Sequence, residues 1–182
     1  MINRAEYVGT NLPLSKHTPE SILSGVVDDE ILDRMMKVIN EESPIKESLL
    51  FKRVLNSFGL MKLGSRLEPY FKDIAERAPA VRISEDEKIY LKDDSEIDFF
   101  RYSSADLRYS YQIPVLEGVN AITYVLEKEN RRLTRKELLQ LFSETLSYQR
   151  KGSQVVSLFL ACLDHGLRKG YFKVSGNHRY FI

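Results

Sequence analysis

From Asp28 onward the apolar residues Ile31, Met35, Val38 and Ile39 recur at helical spacing, and Ser43-Pro44 ends the run. Asp28 or Asp29 is the expected cap of this first helix. A second helix is predicted to bury Leu50, Val54 and Phe58, with Gly59 at the position where a left-handed residue closes a helix. Beyond the GLMKLG turn, Ser65 and Glu68 have capping-box spacing for a third helix carrying Leu67, Phe71 and Ile74. Pro69 leaves the first residue of that helix unsettled. VRISEDEKIYL then alternates apolar and polar about an acidic turn, Ser84 to Lys88, as a half-buried hairpin does.

The same order returns further along the chain. Shifting the sequence by 88 positions brings Ile45 onto Leu133, Leu50 onto Leu138, Val54 onto Phe142 and Phe58 onto Leu146. Gly64-Ser65 then falls on Gly152-Ser153, Leu67 on Val155 and Phe71 on Phe159. A shift of 91 aligns the hairpins, Val81 with Phe172, Ile83 with Val174, Ile89 with Tyr180 and Leu91 with Ile182. In the later half Ile122, Val125 and Leu126 mark one helix, and Thr134 with Glu137 forms a capping box for the next. Gly152-Ser153 opens the third, and YFKVSGNHRYFI is a hairpin with a Ser-Gly-Asn turn.

Three helices followed by a two-stranded ribbon predict a winged helix. The expected fold class is therefore mainly α with small β-hairpins (α+β), built as two tandem winged-helix units at 28–92 and 114–182. Residues 1–27 read as an N-terminal extension, in which Thr18-Pro19-Glu20 starts a short helix. Residues 93–113 read as a packed connector, because Phe99, Phe100, Tyr102, Tyr109 and Tyr111 gain by leaving water.

The stretch Tyr7 to Ile74 resembles a domain of unknown function at the C-terminal end of large superfamily-one DNA helicase-like proteins. That family's pattern is a Glu-Gly-Pro turn, a Leu-x-x-Arg-Val helix, Phe-Gly, and Arg-x-Gly-Ser-Arg-Ile. Glu42-Ser43-Pro44, Leu50 with Arg53-Val54, Phe58-Gly59 and Gly64-Ser65-Arg66-Leu67 occupy those places. Ser43 replaces the turn glycine, and Leu63 stands where the family has an arginine. Ile113-Pro114 is similar to the pair that opens the following helix in such proteins. The resemblance implies association with DNA-processing machinery, as a free-standing domain or the tail of a larger protein. It implies no activity of its own, and no G-x-x-x-x-G-K-[ST] loop is present to hold a nucleotide.

Composition narrows the chemistry. Cys162, the single cysteine, lies in the apolar row VVSLFLACL, where a buried, inert thiol is expected. His17, His165 and His178 are far apart and have no partner at metal-ligand spacing, so neither a zinc site nor any cofactor is expected. No G-x-S-x-G elbow or Glu-x-Lys appears, and a non-enzymatic protein is the reading. No signal peptide or membrane span is read, so a cytoplasmic location without membrane partners is expected.

Lysines and arginines number 27 against 26 acids, so charge distribution matters more than the sum. Asp28 to Lys92 holds 12 basic and 13 acidic residues, net −1, whereas Val115 to Ile182 holds 11 and 6, net +5. The candidate phosphate contacts are Arg131, Arg132, Arg135 and Lys136 at the second helix of the later unit, and Arg150 and Lys151 before its third. Lys173, His178 and Arg179 lie on its wing, and Lys62 and Arg66 are the candidates in the first unit. Double-stranded DNA and a helicase or nuclease subunit are the partners of this reading. The alternative is a protein-interaction module, a homodimer through SQVVSLFLACLDHGL, with no nucleic-acid contact.

Overall fold

The computed structural model describes residues 2–83, 87–104 and 107–182. The protein is of mixed α and β content, with seven α-helices and small sheets among those residues. It divides into two compact units, one of residues 9–95 and the other of residues 96–182 together with 1–8.

In the 9–95 unit, α1 (Pro19–Leu23) is capped by the Thr18 hydroxyl, which accepts from the Ser21 N–H at 3.2 Å. Helix α2 (Asp28–Glu42) leads into strand β2 (Ile45–Lys46), then α3 (Glu47–Ser57), α4 (Leu67–Ala75), β3 (Val81–Ile83) and β4 (Ile89–Leu91). The three strands form an antiparallel sheet ordered β2-β4-β3. Ile31, Met35, Val38 and Ile39 of α2 meet Leu50 and Val54 of α3 and Phe71 and Ile74 of α4 in one apolar core. Burial of a side chain of this size stabilises by roughly 1.5–3 kcal/mol, which is what the helical spacing of these residues secures.

Two expected caps are not formed. At the start of α2 the N-cap is Val27, without a side-chain bond. Asp28 is drawn across to α4 instead, accepting from the Tyr70 hydroxyl and lying 3.4 Å from Arg77. At α4 the N-cap is Arg66. The Gly64 carbonyl accepts from both Leu67 and Glu68 N–H at 3.0 Å, closing the first turn before Ser65 can act. Glu68 pairs with Lys72 at 2.6 Å, and Pro69 sits within the first turn, where its missing N–H costs nothing. The acidic turn at 84–88 lies partly outside the described residues; of its visible members Glu87 pairs with Lys46 at 2.6 Å.

The other unit contains β1 (Asn3–Glu6), β5 (Phe99–Tyr102), a 3₁₀ turn at Ser110–Gln112, and α5 (Val115–Glu129). These are followed by β6 (Leu133–Thr134), α6 (Arg135–Thr145), α7 (Ser153–Lys169), β7 (Lys173–Val174) and β8 (Arg179–Phe181). Its three-stranded sheet is ordered β6-β8-β7, antiparallel, with the same sequence of helices and strands around it as in the 9–95 unit. Positions 88 apart take the same roles. Phe58 and Leu146 are C-caps, Gly59 and Ser147 follow with φ of 78° and 69°, and Leu50, Leu138, Phe71 and Phe159 are fully buried.

The hairpins do not keep a single shift. Register equates Tyr90 with Tyr180 and Arg82 with Val174, shifts of 90 and 92, where the sequence pattern suggested 91. The last turn spans Ser175 to His178, and His178 rather than the glycine takes the left-handed conformation, φ 55°.

Strand β1 runs parallel to β5, outside the three-stranded sheet, so residues at the two ends of the sequence range share a unit. Behind β5 lies a buried ionic cluster. Glu117 on α5 is fully enclosed and accepts from Arg108 Nη1 at 2.8 Å and Nη2 at 2.9 Å, and from Arg101 Nε and N–H at 3.1 Å each. The Tyr7 ring covers the Arg108 guanidinium at 4.3 Å. Burial alone pushes the Glu117 carboxyl up, but the two guanidiniums outweigh it and hold it at about 2. Of the aromatic residues read as a packed connector, Phe100 is in the core and Asn120 ties this strand to α5 through the Phe99 carbonyl at 2.9 Å. Tyr109 and Tyr111 remain half exposed.

Candidate nucleic-acid interface

The anchoring of α6 sets the position of most of the candidate cations. Thr134 caps the helix through a reciprocal pair: its hydroxyl accepts from the Glu137 N–H at 3.3 Å, and its own N–H donates to Glu137 Oε2 at 2.7 Å. The Thr134 hydroxyl, its N–H and Arg131 together hold the Glu137 carboxyl down at about 2. Arg131 is spent locally, 3.0 Å from Glu137 and 3.4 Å from Glu129, and this pairing raises its own pKa. Arg135 and Lys136 follow in the first exposed turn of α6.

Strand register then gathers residues that are distant in sequence. Opposed residues of an antiparallel pair share a face. Thr134 lies opposite Arg179, and Lys173 opposite Phe181. Tyr180 between them points inward and is buried. Arg179, Phe181 and Lys173 therefore lie on the outward face, and Arg132 covers the Phe181 ring at 4.8 Å. Arg132, Lys173 and Arg179 thus share one face of the sheet, and Arg135 and Lys136 follow Thr134 along the chain.

Arg150 and Lys151 form a second locus, exposed in the turn before α7. Lys151 donates to Gln140 on α6, whereas Arg150 has no ion-pair partner among the described residues. Gly152 is the N-cap of α7 and brings no side-chain bond, so the first N–H groups of a 17-residue helix face outward there.

In the 9–95 unit, Lys62 and Arg66 are both exposed in the turn before α4. The carboxylates of Glu68, Asp73 and Glu76 follow on that helix, as its sequence requires.

Helix α7 explains its unusual apolar content by burial. Val155, Leu158, Phe159, Cys162, Leu163, His165 and Gly166 face inward. His165 is thereby buried, while Gln154, Ser157 and Asp164 stay exposed, Asp164 paired with Arg168 at 3.0 Å. Cys162 is buried, its Sγ 3.6 Å from the Val115 carbonyl. Among the described residues no group of three or more His, Cys, Asp or Glu is placed to hold a metal ion, and no helix is long and apolar enough to cross a membrane.

Residues 21–68 are similar to a family described as a protein of unknown function (DUF3320). No curated protein and no solved structure matches the chain. The matched stretch runs from α1 to the first turn of α4, and its motif residues are mostly scaffold. Glu42 is buried, 3.3 Å from Arg53, and accepts from the Thr10 N–H at 2.7 Å. Phe58 lies in the core beneath the Arg34 guanidinium, which donates to the Ser57 carbonyl at 3.0 Å. Gly59 has φ 78°, where a side chain is strained. Gly59 and the turn carrying Lys62, Gly64, Ser65 and Arg66 face water.

The ionic cluster at Glu117 and the exposed tyrosine pair were not anticipated from sequence. A signal for the first was present: Glu117 stands one and two turns before Ala121 and Val125 on the apolar stripe of α5, where a lone charge requires a buried partner.

Proposed function

We propose that the chain is a non-catalytic nucleic-acid-binding or accessory module of two tandem winged-helix units, working with helicase-type DNA-processing machinery. In this reading it contacts phosphates mainly through the later unit. The observation that carries the proposal is the convergence of Arg132, Lys173 and Arg179 on the outward face of the β6-β8-β7 sheet. A ribbon with that face toward a duplex would set its cations against the phosphate backbone, while the start of α7, with Arg150 and Lys151, offers helix-terminal N–H groups to an anion.

The winged-helix reading is supported by the shared order of helices and strands in the two units. The helicase context rests on the motif resemblance alone; the family to which residues 21–68 are similar is described only as of unknown function. The docking alternative, self-association through α7, draws less support. Among the described residues the open side of that helix carries Ser153, Gln154, Ser157, Ala161 and Asp164, with Leu160 as its single exposed large apolar side chain.

A salt-dependent gel shift with a short duplex tests the proposal. Binding should weaken steeply as salt rises, and Arg132→Glu with Lys173→Glu and Arg179→Glu should abolish it, whereas Lys62→Glu with Arg66→Glu should weaken it only slightly. Absence of duplex binding, joined by a dimer mass in light scattering, would replace this reading with the docking one.

A further inference from the structure

The 3₁₀ turn at Ser110–Gln112 inverts the usual partition of side chains. Ser110 and Gln112 are buried, while Tyr109 and Tyr111 are 50% and 49% exposed and Leu107 is 62% exposed. Large rings left in water beside buried small polar groups are the informative kind of exposure. The two rings are parallel, 4° apart with centroids at 5.5 Å, so each covers one face of the other and the exposed area falls on their outer faces and edges.

This turn is held rigid from behind. Arg108, one residue before the pair, is locked into the Glu117 cluster, and its carbonyl accepts from the Tyr148 hydroxyl at 2.9 Å. In front of it lies a groove of about 360 Å³ that Leu107, Tyr109, Tyr148, Arg150, Gln154 and Val155 line. Among the described lining residues there is no carboxylate, and Arg150, which is exposed, has no ion-pair partner among the described residues.

We propose that this groove takes an unpaired nucleotide of single-stranded nucleic acid, its base stacked on the ring of Tyr109, which the Tyr111 ring backs, and its phosphate beside Arg150. The occupant follows from complementarity: a flat apolar face and a nearby anion are what the Tyr109 ring and the exposed Arg150 guanidinium accept, and stacking on an aromatic ring tolerates any base. The inference rests on the nucleic-acid reading above and deepens it. The outward sheet face would serve the duplex, and this groove the unpaired strand.

The test is fluorescence anisotropy on the full chain with an oligothymidylate of about twelve nucleotides, a length such grooves accommodate, and with a blunt duplex of equal length. Tyr109→Ala combined with Tyr111→Ala should weaken single-strand binding about tenfold or more and change duplex binding less than about twofold, while the double Phe variant retains both. Ultraviolet cross-linking of the unsubstituted chain to the same oligothymidylate should place the adduct on residues 107–113.

Unchanged single-strand affinity in the Ala variant, or adducts confined to other residues, would overturn the proposal. Duplex binding without single-strand binding would overturn it and leave the phosphate-contact reading standing; binding of neither would overturn both. A proline-rich peptide bound by the unsubstituted chain and lost in the Ala variant, with no oligonucleotide bound, would assign the groove to a peptide and overturn it equally.

Discussion

Glu117→Gln changes one heavy atom and removes the negative charge that Arg101 and Arg108 share. In the native protein its carboxylate accepts five hydrogen bonds, three from Arg101 and two from Arg108. An amide offers one oxygen and turns its NH₂ toward guanidinium donors, leaving two buried cations poorly compensated. Breaking a buried pair in this way costs about 3–5 kcal/mol. An independent route gives the same scale. The carboxyl is held at about 2 from an ordinary 4.5, and at about 1.4 kcal/mol per unit this is on the order of 3 kcal/mol.

For a unit of this size the loss lowers the melting temperature by more than about 10 °C. Calorimetry reads it, and hydrogen exchange should show the opening in β5 and α5. Because the folded carboxyl titrates below the unfolded one, its stabilisation is complete above pH 4.5 and is lost as pH falls from there toward about 2. The difference between the native protein and the Gln variant should shrink over that same interval. Melting within about 2 °C of the native value at neutral pH, well below the shift expected for a broken buried pair, would refute this account of the cluster.

Two further outcomes follow from the packing. Thr134→Ala should destabilise by about 1 kcal/mol in urea denaturation, because the first turn of α6 loses the hydroxyl that accepts from the Glu137 N–H while the bond from the Thr134 N–H to the Glu137 carboxylate remains; no change would mean that water replaces the hydroxyl fully. Gly118→Ala should destabilise by about 1–3 kcal/mol, since its new methyl would fall 2.2 Å from the Cys162 Sγ where α5 crosses α7, and Cys162→Ala in the same chain should recover much of it.

The periodicity of apolar residues determined much by itself. Helical spacing placed Ile31, Met35, Leu50, Val54 and Phe71 in a core, and the recurrence at 88 positions anticipated that Phe58 and Leu146 take equivalent places. The Thr134 and Glu137 cap was legible because its partners are three residues apart. Such features depend on neighbours along one helix, where spacing in sequence is spacing in space.

Other features depend on contacts between elements. Asp28 leaves its helix end for Tyr70, 42 residues on, and the pairing of β1 with β5 joins Asn3 to Phe99. The gathering of Arg132, Lys173 and Arg179 is a product of strand register, and so is the departure of the hairpins from a uniform shift. Local pattern states which residues must leave water. Which polar groups then meet, and which aromatic rings stay in water as Tyr109 and Tyr111 do, is decided only once the helices and strands have packed and each buried charge has found its partner.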